Sequence, residues 1–310
     1  MHERTRGYLA IVAASVVFGV WPSISKLVVS EIHPLALSFY VQLLPALVLL
    51  PMIRGQRVSR RDWRLIVATA IAGTVSGPIV YFYGLERTTA SNSVLLSNSE
   101  ALFTMVFAYV LLRERTDRRG YLALAGIAAG AFFVTTQLRF GDVQFLEYLV
   151  GNVLLVTAAG CWGLSNTGST VLLRRIPIVP LLALQLVVGS SILFPVVVVS
   201  GVPLAVPIDI LPLLLFLSLT AVIVFSILFF YAFRTIGAMR TGAVLPSSAV
   251  SGVLLALYLF PDQTLNEWQI LGGALMVGSL VALYVFGEPR GRAAAGETLK
   301  PAASDGPDSP

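Results

Sequence analysis

The stretch YFYGL at residues 81–85 returns 148 residues later as FFYAF at residues 229–233. At the same offset and without a gap, Ser99 aligns with Ser247. The further aligned pairs are Glu114 with Asp262, Thr116 with Thr264, Gly130 with Gly278 and, at an offset of 144, Phe18 with Trp162 and Gly19 with Gly163. Each copy holds five apolar runs. Because five is an odd number, the second copy is predicted to begin on the opposite side of a membrane from the first.

The composition is that of a membrane protein. Of the 310 residues, 56% are hydrophobic and only 12% are charged, whereas a soluble domain of this length needs far more charge to cover its surface. Most of the apolar runs reach the roughly 18–25 residues that an α-helix needs to cross the hydrocarbon core, and they are too long for the strands of a barrel. The ten runs cover about residues 8–29, 34–53, 65–85, 91–112, 120–137, 148–172, 178–200, 210–233, 241–260 and 269–286.

The sequence therefore predicts an all-α membrane protein, in which ten transmembrane helices form two inverted five-helix repeats around a central cavity. The first repeat is predicted over residues 1–143 and the second over residues 144–287. Residues 288–310, rich in Ala, Gly, Pro and Ser, are expected to form a disordered cytoplasmic tail. Inverted duplications of this kind are typical of secondary transporters, which bind their solute near the bilayer midplane between the repeats.

The basic residues predict the orientation. If the N-terminus is cytoplasmic, 18 of the 21 Lys and Arg residues fall in inner segments, and only Lys26, Arg87 and Arg139 fall in outer ones. This bias places both termini in the cytoplasm. The net charge of +5 is thus explained by topology, and no nucleic-acid partner is expected. Lys26, near the outer end of the first run, is expected to extend its amine toward the membrane interface.

Glu100 is the one acidic residue deep inside an apolar run. It lies near the middle of the fourth run, where a charge costs roughly 2.5–3.5 kcal/mol on insertion scales. Such a residue should face the protein interior or water. It is a candidate proton carrier or a contact for a cationic group of a solute, and the alternative is a hydrogen-bonded structural carboxylate. The second copy has Ser248 at the aligned position, so the carboxylate is not duplicated.

Polar and aromatic residues at matching places in the two copies predict the lining of the cavity. The fourth run contains the polar series Asn92, Ser93, Ser97, Asn98 and Ser99, and the ninth run matches it with hydroxyl residues beside Pro246. Ordinary close packing of helices is the alternative explanation for these small residues. The candidate cavity residues are Phe18, Trp21, Tyr81, Asn98, Glu100, Trp162, Asn166, Ser247, Ser248 and Ser251.

A GxxxG pattern predicts close helix packing in the fifth run. Gly126 and Gly130 form it, and Ala274 and Gly278 are their counterparts in the tenth run. Small residues at this spacing let two helix backbones approach. The pattern could serve the fold of one chain or a homodimer, and both states stay open.

Three stretches resemble the drug/metabolite transporter superfamily in its ten-helix EamA branch. They are Phe18-Gly19 followed by Lys26, the fourth run from Ser91-Asn92 through Glu100 to Glu114, and the ninth-run copy that ends in Asp262. Ala101 stands where that family usually has Pro after the Glu. The resemblance implies a bacterial inner-membrane protein that exports amino acids or related amphiphilic metabolites by alternating access, with helices 1, 3, 4, 6, 8 and 9 around the cavity.

Two other classes of function compete with a solute transporter. A lipid flippase on the same frame would need a lateral opening to the bilayer. An intramembrane enzyme is disfavoured, because the only histidines, His2 and His33, lie outside the apolar runs and leave no Ser-His pair for nucleophilic catalysis. With one cysteine, Cys161, no metal site and no cofactor are expected. The predicted partners are a small-molecule solute and the lipid bilayer.

Overall fold

The computed structural model describes residues 3–56, 58–113, 118–138, 143–236, 244 and 247–286. The helices of the first half are α1 (Glu3–Val29), α2 (Pro34–Leu49), α3 (Arg60–Ala70), α4 (Gly77–Glu86), α5 (Ala90–Ser97), α6 (Ser99–Leu112) and α7 (Arg118–Thr136). Those of the second half are α8 (Val143–Leu172), α9 (Ile178–Ser200), α10 (Leu211–Leu219), α11 (Phe225–Ile236), α12 (Ser248–Leu259) and α13 (Glu267–Phe286). The predicted tail, residues 288–310, and the closing Glu114 lie outside the described residues.

Within the described ranges, eight helical stretches are long and apolar enough to cross a membrane. Two further apolar helices, Ser248–Leu259 and Glu267–Ala282, are shorter. The all-helical fold is therefore confirmed, and the count of ten spans stays a prediction. The eight stretches are Thr5–Val29, Pro34–Ile53, Arg60–Glu86, Ala90–Leu112, Arg118–Thr136, Tyr148–Leu172, Ile178–Ser200 and Leu211–Phe229.

Two of these stretches are interrupted by a single π-helical turn. Ile71–Ser76 joins α3 to α4, and Thr220–Val224 joins α10 to α11. In each turn a threonine, Thr74 or Thr220, donates its hydroxyl to the carbonyl four residues earlier. Such side-chain bonds compete with the backbone ladder and bend helices. The two turns occupy aligned positions of the duplicated sequence, so the same local irregularity occurs in both copies.

Each large helix contact in one half has a counterpart between the aligned helices of the other half. Helix α1 packs along α11 and α12, and its aligned counterpart α8 packs along α4 and α6. Because α4 aligns with α11 and α6 with α12, each contact has a partner in the other half. The remaining large contacts, α2 with α9 and α7 with α13, join aligned helices directly.

Gly126 and Gly130 pack inside one chain, on α13. A Cβ atom built on Gly130 would lie 2.5 Å from the carbonyl oxygen of Gly272, and one on Gly272 would lie 2.7 Å from the carbonyl oxygen of Gly130. A Cβ on Gly126 would overlap the side chain of Ser279. The predicted packing pattern of α7 is thus used within the fold of a single chain.

The counterparts on α13 lie on a different side of that helix. Ala274 and Gly278 line an open groove of about 560 Å³ between α7 and α13, together with Arg119. A Cβ on Gly278 would have no described heavy atom within 4 Å. Gly272, six residues earlier, is the glycine that meets Gly130.

The backbone contact predicts a large difference between two chemically identical substitutions. Gly130→Ala should lower the free energy of unfolding by about 1–3 kcal/mol, because its methyl group meets a backbone carbonyl that cannot turn away. Gly278→Ala is the matched control and should leave stability unchanged. Thermal unfolding midpoints in detergent provide the measurement. Equal midpoints for the two variants would contradict the packing described here.

Candidate functional site

Three of the predicted cavity residues form one aromatic cluster. Trp21 of α1 stacks on Tyr81 of α4 with ring centroids 4.8 Å apart, and Tyr81 lies 5.3 Å from Trp162 of α8. The centroids of Trp21 and Trp162 are 6.3 Å apart. These separations are in the range at which aromatic rings attract one another. Tyr81 is 1% exposed. The aromatic cluster (Trp21, Tyr81, Trp162) therefore joins residues from both halves of the chain.

The π-helical turn before α4 holds Trp162 in place. The Nε1 atom of Trp162 donates to the carbonyl oxygen of Gly73 at 3.0 Å, and this carbonyl belongs to the turn. A Cβ on Gly77 would lie 2.5 Å from the same indole nitrogen, so only glycine leaves room for the ring there. Single π turns inside α-helices are frequent at functional sites because they free backbone groups.

Trp21 carries a hydrogen-bond donor that is buried without a partner. Its Nε1 atom has no acceptor among the described residues, and the same holds for the buried hydroxyl of Ser99. The hydroxyl of Tyr81, in contrast, is paired with Ser93 at 2.8 Å. A buried donor without a partner costs about 1–3 kcal/mol. An acceptor on a bound solute would remove that cost at Trp21.

Glu100 and Asn166 form a pair next to the aromatic cluster. The Nδ2 atom of Asn166 donates to the Oε1 atom of Glu100 at 2.5 Å. Asn166 lies one helical turn after Trp162 on α8 and therefore on the same face. Glu100 is half-buried and Asn166 is exposed. The carboxylate thus lies beside the cluster and is partly exposed, on the side toward which α8 continues.

Phe18 and two of the predicted serines lie at contacts of α1. The ring of Phe18 stacks on Phe225 of α11 with centroids 5.2 Å apart. Gly19, the next residue, packs directly against Ser248 and Ser251 of α12. Ser251 donates its hydroxyl to the carbonyl of Ser248 at 3.0 Å. Sequence alignment did not single out Phe225, because its partner position in the first copy is not aromatic.

Asn98 and Ser247 lie at matching helix starts in the two copies. Asn98 separates α5 from α6, and its Nδ2 atom donates to the carbonyls of Val94 at 3.3 Å and Leu95 at 3.1 Å. Its amide therefore serves its own helix. Ser247 precedes α12 and is exposed. The helix is interrupted at Asn98 although Ala101 lacks the ring of a proline.

A second polar group lies at the other end of the bundle. We call it the amide cluster and define it as Thr88, Asn92, Asn152 and Gln269. All four side chains are at least nine-tenths buried. Asn92 stands out in the sequence, since it lies in an apolar run, but Asn152 and Gln269 do not align with any polar residue and were missed. Their meeting depends on how α8 and α13 pack on α5.

Lys26 is bonded to the end of a neighbouring helix. Its Nζ atom donates to the carbonyl oxygens of Leu85 at 2.7 Å and Glu86 at 3.0 Å, and its extension toward the membrane interface stays a prediction. These carbonyls end α4 and have no partner inside that helix. A positive charge at a helix C-terminus is also favoured by the helix dipole. The end of α4 therefore supplies acceptors for the amine of Lys26.

The comparisons with known proteins match the whole helical region. The EamA-like transporter family matches residues 5–136 and again residues 149–285. The chain belongs to the EamA-like transporter family. It is accordingly a multi-pass membrane protein with a transport function, within the drug/metabolite transporter superfamily.

Relatives and a solved structure agree with this assignment. An uncharacterized transporter of Methanothermobacter thermautotrophicus is 27% identical over 299 residues, which cover 91% of this chain and 87% of that protein. The uncharacterized transporter YyaM of Bacillus subtilis is 20% identical over 292 residues, or 91% of this chain and 95% of that protein. A solved crystal structure with 18% identity covers 90% of this chain and 95% of its own, with a TM-score of 0.59, and so shares the EamA fold.

The contact between α6 and α8 yields a second prediction. A Cβ on Gly163 would lie 2.7 Å from the backbone nitrogen of Thr104, whereas one on Gly160 would lie no closer than 3.7 Å to the ring of Phe103. Gly163→Ala should push α8 from α6, separate Asn166 from Glu100 and lower the unfolding midpoint. Gly160→Ala, on the same interface, should leave the free energy of unfolding within about 0.5 kcal/mol of wild type and the midpoint nearly unchanged. Indistinguishable midpoints in thermal unfolding would refute this geometry.

Proposed function

We propose that this EamA-family protein is a secondary transporter that exports a small organic metabolite, an amino acid or a related amphiphile, across the bacterial inner membrane by alternating access. The observation that carries the proposal is the aromatic cluster beside the Glu100–Asn166 pair. The rings of Trp21, Tyr81 and Trp162 offer apolar faces, and Glu100 offers an anionic acceptor bonded to Asn166, one turn after Trp162. This combination fits a solute with an apolar side group and a cationic or hydrogen-bond-donating head.

The proposed architecture is ten spans in two inverted repeats. Support comes from the family match, which occurs once in residues 5–136 and once in residues 149–285. The exchange of helix contacts between the halves and the two π-helical turns at aligned positions also favour it. In this arrangement the aromatic cluster lies where the two repeats meet, which is where transporters of this kind hold their solute.

The proposed orientation follows from the basic residues. The face on which α1 begins also holds the ends of α2, α6 and α8, with their arginines, and we call it the basic face. The positive-inside bias makes it the cytoplasmic face, with both termini on that side. Glu100 and Asn166 are partly exposed and lie on this side of the aromatic cluster, which favours access of a solute from the cytoplasm. Export is the direction that such access favours.

A counterflow screen tests the proposed function. The purified protein is reconstituted in liposomes that are preloaded with one unlabelled compound, and uptake of the same labelled compound is followed. The panel contains aromatic, aliphatic and basic amino acids and cationic aromatic amphiphiles. We expect counterflow for at least one amphiphilic class. Translocation of a fluorescent phospholipid without any solute counterflow would favour the flippase and overturn the proposal.

Removing one ring from the aromatic cluster should weaken solute binding. Trp162→Leu is expected to raise the half-saturation concentration roughly tenfold, because stacking and one hydrogen bond to Gly73 are lost. Trp63→Leu is the control, since Trp63 is exposed at the start of α3. Initial rates of counterflow give both constants. An unchanged half-saturation concentration in Trp162→Leu would exclude the cluster from the binding site.

Glu100 is the proposed proton carrier. Glu100→Gln keeps the shape and the bond to Asn166 but cannot release a proton, so transport driven by a pH gradient should fall to background while solute counterflow continues. Glu86→Gln is the control, because Glu86 pairs with Arg87 at the protein surface. Uptake with and without an imposed pH gradient provides the measurement. Proton-driven uptake that survives in Glu100→Gln would remove the coupling role.

A further inference from the structure

The amide cluster joins helices of both halves at the face opposite the basic face. The Nε2 atom of Gln269 donates to the Oδ1 atom of Asn92 at 2.6 Å. The Nδ2 atom of Asn92 donates to the Oγ1 atom of Thr88 and to the Oδ1 atom of Asn152, both at 3.1 Å. Thr88 also donates to Asn152 at 2.6 Å. One connected set of bonds therefore links α5, α8 and α13 with the loop between α4 and α5.

Two more contacts close the same face. The amine of Lys26 holds the end of α1 against the end of α4. The hydroxyl of Tyr40 donates to the carbonyl of Leu204 at 2.5 Å and ties α2 to the segment after α9. All these bonds lie on the side of the aromatic cluster that is away from Glu100.

Burial differs between the amide cluster and the Glu100–Asn166 pair, which lie on opposite sides of the aromatic cluster. Ser25, one turn beyond Trp21 on α1, is 0% exposed, and so are Asn92 and Asn152. On the other side, Glu100 is half-buried and Asn166 is exposed. The partly exposed pair on the basic side and the buried, bonded groups on the opposite side favour access to the aromatic cluster from the basic face.

The sequence does not repeat the amide cluster in the other half. Inversion carries each of its positions to the basic face, where a second amide cluster would have to form. The aligned residues, at offsets of 148 for the first three and 144 for the last, are Ile236 for Thr88, Arg240 for Asn92, Tyr121 for Gln269 and Tyr8 for Asn152. None of these four is an amide, and Tyr8 and Tyr121 are exposed.

We propose that the amide cluster is a latch, which must break before the site can open to the face opposite the basic face. This inference rests on the proposed alternating access. The bonds on the two sides differ, since on the basic side Gln185 joins α9 to Thr69 of α3 and Ser169 of α8. The two closed states are therefore unequal in free energy, and the amide cluster favours the state that is closed at the face opposite the basic face. A solute must supply enough differential binding to open the latch, since binding that is equal in both states shifts no equilibrium.

Cysteine labelling from each side tests the latch without any knowledge of the solute. In a Cys161→Ala background, a single reporter cysteine is introduced, either Ser25→Cys or Asn166→Cys. A membrane-impermeant maleimide is added to the full-length protein in vesicles of known orientation. In the latched chain we expect slow labelling of the Ser25→Cys reporter from the face opposite the basic face and fast labelling of the Asn166→Cys reporter from the basic face.

Breaking the latch should change the two rates in opposite directions. Gln269→Leu, or Thr88→Val as the milder variant if the first folds poorly, should raise labelling of the Ser25→Cys reporter about five- to thirtyfold. Labelling of the Asn166→Cys reporter should fall in the same variants. Gln185→Leu is the matched control, because Gln185 is also a buried amide, bonded to Thr69 at 2.8 Å and Ser169 at 2.9 Å, but lies on the other side of the site.

Each other outcome overturns the latch. A rise at both reporters would mean that the amide cluster only stabilises the fold. Unchanged rates, or the same opposite changes in Gln185→Leu, would mean that it does not set the state of the chain. The proposed function fails separately, in the solute screen, because labelling reports the conformational equilibrium whether or not a transported compound has been found.

Discussion

Every polar group inside these helices needs a partner within the protein, because the hydrocarbon core of a membrane supplies none. The irregular features of the chain follow from this constraint. The carbonyl of Gly73, in a π-helical turn, accepts from Trp162. The side-chain amide of Asn98 donates to backbone carbonyls of α5, just before the break between α5 and α6. The helix end at Leu85 and Glu86 is satisfied by Lys26.

The same constraint separates structural polar groups from functional ones. The amide cluster is connected and buried, and it links the helices at the face opposite the basic face. Trp21 has a buried donor without a partner among the described residues, and Glu100 shares only one amide with Asn166. Both groups border the aromatic cluster. In the proposed function, a solute that pairs with them gains binding free energy there.

This EamA-family chain has features that the two halves share and features that they do not share. Helix contacts and π-helical turns occur in matched sets, as expected for a duplicated unit whose packing was kept. Glu100 and the members of the amide cluster align with residues of other types in the other copy. Features that occur once can make the two sides of a transporter unequal, which a symmetric frame alone cannot do. Close packing of glycines such as Gly130 and Gly272 holds neighbouring helix backbones in direct contact.

The sequence by itself determined the membrane class, the all-helical fold and the family, because these depend on hydrophobic run length and on aligned residues. It also predicted Trp21, Tyr81 and Trp162 among ten cavity residues, since they lie at matching places in the two copies. Only the tertiary structure decided which face of each helix meets which neighbour. It brought Phe225 to Phe18, turned Lys26 to a helix end, paired Gly130 with Gly272 and assembled Asn152 and Gln269 with Asn92. Such contacts join residues far apart in the chain, and their geometry depends on helix rotation and crossing, which no local pattern specifies.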